Sequence, residues 1–309
     1  MTAAADPVPT LDLRGGIIAG GAALILLLAF ALFDLQAISL AFGGLLALAA
    51  DGPGGRLQRF RRMGAWLAGG ALLIGLAALL PTGPWPTAIL VFAAVGGSSL
   101  AAAFDERVGL AALVLGLMAV LQPILADPGG APAFLAGGLI AGALATIRSR
   151  PPDTGRRPVE GGVVFAIVRA GAVAVAAWLG VTLFDAHPAW TGVTTLFVLA
   201  PGSQETLAAA GARLLGTLVG AAIGIGLVAL VDEPFALALV IVLAVTTQFA
   251  VRSFGYHVVV ICITIAVVAG SSLAGADSVS AGTDRVLATV LGAGVAVVPL
   301  VISRLVPES

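Results

Sequence analysis

Two stretches of the chain hold its histidines: FDAHPAWTGVT at 184–194 and FGYHVVVICIT at 254–264. Phe, His and Thr recur at matching places, and there are only 2 histidines in all. An imidazole carries protons near neutral pH and binds carboxylates. His187 and His257 therefore suit proton relay, or else simply open a helix. Asp185 suits a proton carrier or a helix cap. Trp190, one turn after His187, suits stacking on an aromatic ring or a place in an interfacial belt. A second pair, RLLGTLVG at 213–220 and RVLATVLG at 285–292, shares the pattern R-x3-T-x2-G. Arg213 and Arg285, read here as opening their helices, would draw an anion. The hydroxyls of Thr194, Thr217, Thr264 and Thr289 would donate to a substrate or bond helix to helix. A chain with 1 cysteine, Cys262, forms no internal disulfide and no thiolate metal cage. No nucleotide loop, metal cluster or nucleophile–base set is legible, so no cofactor, no metal and no enzymatic reaction are expected. A net charge of −1 argues against nucleic acid.

The elements that carry these residues follow from composition. Apolar residues make up 60% of the chain and charged residues 10%, against about 25% charged in a soluble domain. So little charge cannot cover a surface in water, and a lipid bilayer is the expected surround. Apolar runs recur at 15–33, 36–50, 63–80, 85–104, 108–125, 131–147, 163–184, 189–200, 207–231, 235–253, 257–270 and 285–303. They predict an all-α, polytopic membrane protein of about twelve spans. The first run has acidic residues before it and one arginine, so it reads as a retained helix and not a leader. The run at 189–200, between His187-Pro188 and Pro201-Gly202, would reach only about 18 Å, against roughly 30 Å of hydrocarbon. The run at 257–270 looks short as well. Short helices leave backbone groups that must be met inside protein or at a wet cavity, where free N–H groups favour an anion.

With this helix count, every arginine but Arg285 falls on one side of the membrane. The other side collects Asp34, Asp127, Asp185, Asp232, Glu233, Asp277 and Asp284. The arginine side is cytoplasmic by the positive-inside bias, so both termini are expected in the cytoplasm and the protein in the inner membrane. Internal echoes point to repeats. AFALFD at 29–34 matches GVTLFD at 180–185, and WLAGG at 66–70 matches FLAGG at 134–138. The junctions FDLQ (33–36), FDER (104–107), FDAH (184–187) and FGYH (254–257) recur before the second helix of each triplet. Two tandem six-helix halves, 1–155 and 156–309, are expected, each an inverted 3+3 pair as in many secondary transporters. The G-x3-G-x3-G of Gly216, Gly220 and Gly224 reads as close helix packing.

On these residues the chain resembles a known family. HPAWTGVTTLFVLAPGSQETLAAAGARLLGTLVGAAIG at 187–224 and DRVLATVLGAGVA at 284–296 resemble the fusaric-acid-resistance-like, or aromatic acid exporter, family over about 165–303. The resemblance implies an inner-membrane exporter of aromatic carboxylates and related toxic organic acids, driven by protons. It is also compatible with a passive organic-anion channel, and a non-transporting assembly or regulatory membrane protein stays open. So do a homo-oligomer and a periplasmic adaptor. In the exporter reading Arg213 and Arg285 attract the carboxylate and Trp190 meets the apolar ring. Thr194, Thr217, Thr264 and Thr289 donate to the substrate, and Asp185, His187 and His257 carry protons. The orientation is directly testable. A fluorescent protein fused after Ser309 is expected to fluoresce and an alkaline phosphatase fused there to stay inactive; the opposite pattern overturns the arginine-based topology.

Overall fold

The structure, a computed structural model, describes residues 11–13, 17, 21, 24, 36–51, 55–104, 109–121, 130–147, 162–184, 188–231 and 233–305. Among the described residues the regular structure is helical throughout, with no strand. In chain order the helices are α1 (Gln36–Ala50), α2 (Arg56–Leu79), α3 (Pro84–Phe104), α4 (Gly109–Val120), α5 (Gly130–Ile147) and α6 (Gly162–Leu183). They continue as α7 (Ala189–Val198), α8 (Ser203–Leu230), α9 (Pro234–Ala250), α10 (Tyr256–Leu273) and α11 (Ser278–Leu305). Six of them, α2, α3, α6, α8, α10 and α11, are long and apolar enough to cross a membrane. This is a multi-pass membrane protein. The expected run at 15–33 lies almost wholly outside the described residues, and α4, α5, α7 and α9 are apolar but shorter.

Several helix boundaries differ from the sequence expectation, and at three of them a polar contact accompanies the shift. Helix α2 begins at Arg56, about two turns before the apolar run. Its first turns, RLQRFRR, are good helix formers. The charge of Arg59 is met there by Asp51, with Nε donating to Oδ1 and Nη2 to Oδ2, both at 2.8 Å. Both side chains are nearly buried, so the pair ties the end of α1 to the start of α2. Helix α10 is not short: it runs on through Gly270-Ser-Ser to Leu273. It stops where Gly275 takes a φ of 89° and Gly275 N–H and Ala276 N–H turn back to the Ser272 and Ser271 carbonyls, both at 2.9 Å. Helix α11 begins at Ser278, because the Asp277 carboxylate accepts the Ser280 N–H at 2.7 Å and caps it.

Two compact units emerge. The larger comprises residues 28–207 with 291–309, the smaller residues 1–27 with 208–290. In the larger, α1 packs on α5 and α2, α3 on α6 and α4, and α7 on α6 and α4, around a core that includes Leu46, Met63, Val91, Met118, Phe134 and Leu196. Helix α7 is as short as the sequence implied, and 8 of its 10 residues are buried. It satisfies the rule that a helix too short for the bilayer must lie within protein. A Cβ on Gly180 would overlap the Pro188 carbonyl oxygen, so α6 meets the start of α7 backbone to backbone.

In the smaller unit α8 lies on α10 along a glycine seam. A Cβ on Gly216 would fall 2.8 Å from Val260 Cβ, one on Gly220 2.8 Å from Thr264 Cβ, and one on Gly224 3.1 Å from Val268 Cβ. In a thermal-unfolding series in detergent, Gly220→Ala is expected to destabilise by about 1–3 kcal/mol, the usual cost of forcing atoms into a packed contact. Gly226, on the same helix with open space around its Cα, should show the opposite sign: Ala there is expected to gain about 0.5–1 kcal/mol of backbone entropy and helix propensity.

Candidate functional site

The chemistry-bearing residues of the smaller unit lie on α8, α10 and α11. Arg213 and Thr217 sit one turn apart on α8, Arg285 and Thr289 one turn apart on α11, and each pair lines up because residues four apart share a helix face. Neither arginine opens its helix. Arg213 is ten residues into α8 and Arg285 seven into α11, about 15 and 10 Å along at 1.5 Å per residue. The Asp277 cap is what moves the start of α11 upstream and Arg285 inward.

Both guanidinium groups are buried, Arg213 at 2% and Arg285 at 1% exposure. They lie close enough for Arg285 to feel the charge of Arg213 and the phenol of Tyr256. Arg213 Nη1–H donates to Tyr256 Oη at 2.6 Å. Thr289 Oγ1 donates to the Arg285 carbonyl at 2.8 Å and lies 3.4 Å from Thr217 Oγ1. Thr217 and Thr289 are fully buried. An arginine inside an apolar helical bundle is costly to keep and marks a functional position by default. Two of them in one unit, one bonded to a phenol, make a positively charged locus suited to anionic oxygens.

Thr264 belongs to the same unit, one helix across. It is fully buried opposite Gly220, and its hydroxyl finds no hydrogen-bond partner among the described residues. His257 is exposed on the first turn of α10. Its ring lies against Gly255, whose φ of 122° turns the chain into that helix. No three His, Cys, Asp or Glu side chains among the described residues gather into a metal-binding group.

Trp190 and Thr194 belong to the larger unit. Trp190 is half-buried and packs against its apolar core. Thr194 and Thr191 are fully buried, with hydroxyls that have no partner among the described residues. The end of α11 reaches this unit at Gly292, where a Cβ would fall 2.5 Å from the Thr191 carbonyl oxygen and 2.8 Å from Thr194 Cβ. Thr195 Oγ1 donates to the Gly292 carbonyl at 2.9 Å. Gly220 stands in the same relation to α10: a Cβ there would fall 2.7 Å from the Ile261 carbonyl oxygen and 2.8 Å from Thr264 Cβ. The last glycine of each R-x3-T-x2-G segment thus meets the equivalent residues of a partner helix. Asp185 and His187 lie outside the described residues.

Two residues escaped the sequence argument. Arg169 of α6 donates through Nη2 to the Leu196 carbonyl at 2.9 Å, closing the carbonyl end of α7 where cations are favoured. Its signal was an arginine inside an apolar run. Tyr256 is the 1 tyrosine of the chain. Its signal was a departure from the repeat, since FGYH has Tyr where FDAH has Ala186.

These residues fall within a recognisable segment. Residues 170–298 match the family model described as fusaric acid resistance protein-like. The match spans most of α6 and all of α7 to α10, and extends into α11 beyond Gly292, so it contains Arg213, Tyr256 and Arg285. The fusaric acid resistance-like family is one of transporter- or exporter-like membrane proteins. No curated protein and no solved structure matches the chain.

The threonines offer a contrast that separates architecture from function. Thr206 accepts the Ala200 N–H and donates to the Ala200 carbonyl, both at 3.0 Å, so Thr206→Val is expected to lower stability by about 1–2 kcal/mol. Thr264→Val removes a buried hydroxyl with no described partner and should raise the melting temperature in the same assay. A drop in stability for Thr264→Val would assign its hydroxyl a structural role.

Proposed function

We propose that the chain is an inner-membrane exporter of small organic anions, aromatic carboxylates among them, with transport driven by protons. The observation that carries the reading is the pair of buried arginines, Arg213, bonded to Tyr256, and Arg285, inside the segment that matches the fusaric acid resistance-like family. A carboxylate at that locus replaces its lost water with charge-assisted hydrogen bonds from the guanidinium groups. The buried hydroxyl of Thr264 supplies a further donor, as do Thr217 and Thr289 once their mutual contact opens. Asp185, His187 and His257 carry the coupled protons. The two R-x3-T-x2-G segments, with their matched glycine contacts, are the halves of an inverted repeat whose rocking would alternate access. In this reading both termini are cytoplasmic.

The test is efflux of labelled benzoate from proteoliposomes with and without a pH gradient. The wild type is expected to move benzoate against its gradient when protons flow the other way. Arg213→Ala and Arg285→Ala are each expected to weaken transport about thirtyfold or more, equivalent to the roughly 2 kcal/mol lost when one partner of a buried charge contact is removed. His187→Gln with His257→Gln should leave downhill flux and abolish the response to pH. Downhill flux in the wild type that never responds to pH would make it a passive anion channel. Full transport by the doubly arginine-free variant would overturn the site.

A further inference from the structure

Tyr256 has a hydroxyl whose bonding is only half accounted for. Arginine has no acceptor, so in the 2.6 Å contact the Arg213 Nη1–H donates and the phenol oxygen accepts. The phenol proton must then point elsewhere, and no described residue accepts it. The ring is half-buried, so that proton is neither locked in the core nor fully in solvent. Arg285 feels the same phenol. The O–H is therefore held beside the Arg213 guanidinium, fixed at its oxygen end, with no acceptor for its proton among the described residues.

The backbone explains why it is there. Gly255 takes a φ of 122°, which begins α10 at Tyr256. Gly216 lets α10 approach α8 so closely that a Cβ would sit 2.6 Å from the His257 carbonyl oxygen. The approach brings the first turn of α10 against the Arg213 turn of α8. The corresponding position in the other histidine stretch is Ala186, so this donor belongs to one copy only.

We infer that Tyr256 is a substrate-positioning residue: its O–H donates to the carboxylate held by Arg213 and Arg285, and so selects ligands with an anionic oxygen in reach. The inference rests on the organic-anion reading above and goes beyond it by naming the donor that orients the anion. A neutral amide of the same shape offers one carbonyl oxygen and no charge, and is discriminated against. A structural Tyr256, which served only to hold Arg213 in place, would show no dependence on ligand.

Two measurements test it. In proteoliposomes, Tyr256→Phe is expected to raise the KM for benzoate about tenfold with kcat within twofold of wild type, the pattern for loss of one hydrogen bond to a charged group made equally in the bound and transport states. An unchanged KM in a variant that folds and transports overturns the inference and leaves the exporter reading standing. Independently, a single tyrosine makes nitration by tetranitromethane a one-site readout at nitrotyrosine absorbance. Saturating benzoate should slow nitration of the purified full chain several-fold, while benzamide leaves the rate alone. Equal rates with benzoate, benzamide and buffer overturn the assignment even if Tyr256→Phe fails to fold. A wild type that neither transports benzoate nor is protected by it overturns both readings together.

Discussion

In hydrocarbon there is no water to complete the bonding of a polar group, and each arrangement described above answers to that constraint. Helix α7 is too short to span, so it is surrounded by protein and closed at its carbonyl end by Arg169. The Pro201-Gly202 link is stitched by Thr206, which bonds both backbone groups of Ala200. Asp51 and Arg59 close the junction of α1 and α2 with two parallel bonds. Where a polar atom finds no partner among the described residues, as at Thr191, Thr194 and Thr264, the exception is informative. Such hydroxyls cost stability unless something else engages them.

Two cations brought near each other in a low-dielectric interior repel, and the repulsion grows as water is withdrawn. The phenol of Tyr256 eases this by turning its oxygen toward Arg213, and an arriving anion would ease it much further. The locus thus has an electrostatic reason to favour the occupied state. It also has a reason to release its occupant, since a binding site that must empty on each cycle cannot be too deep. A neutral donor such as a phenol adds orientation without adding a third positive charge.

Much of the helical layout was legible because hydrocarbon selects for composition: apolar runs and Pro/Gly breaks located α1, α3 to α7 and α9 to within a few residues. The errors fell where a side chain, and not hydropathy, sets the boundary. The basic turn of α2 looked like a loop because nothing in the local sequence shows that Asp51 will meet Arg59. The start of α11 looked like a loop because TDR at 283–285 interrupts the apolar run, while the Asp277 cap lies further upstream. That error moved Arg285 from a helix end to a helix interior, and so from a boundary charge to a buried one. Tyr256 stayed hidden for a related reason. Comparison of repeats draws the eye to what the copies share, and the residue that bonds Arg213 is one they do not share.

The seam between α8 and α10 has a further property. Its glycines, Gly216, Gly220 and Gly224, recur every fourth residue, and so do the residues they meet, Val260, Thr264 and Val268. A surface that repeats with the period of its partner has more than one way to mesh. Sliding α10 by one four-residue repeat, about 6 Å at 1.5 Å per residue, would set Thr264 against a neighbouring glycine of the ladder. Intermediate positions would drive side chains into the opposing helix. A seam of this period thus favours discrete registers, and a shift of one repeat would part Tyr256 from Arg213.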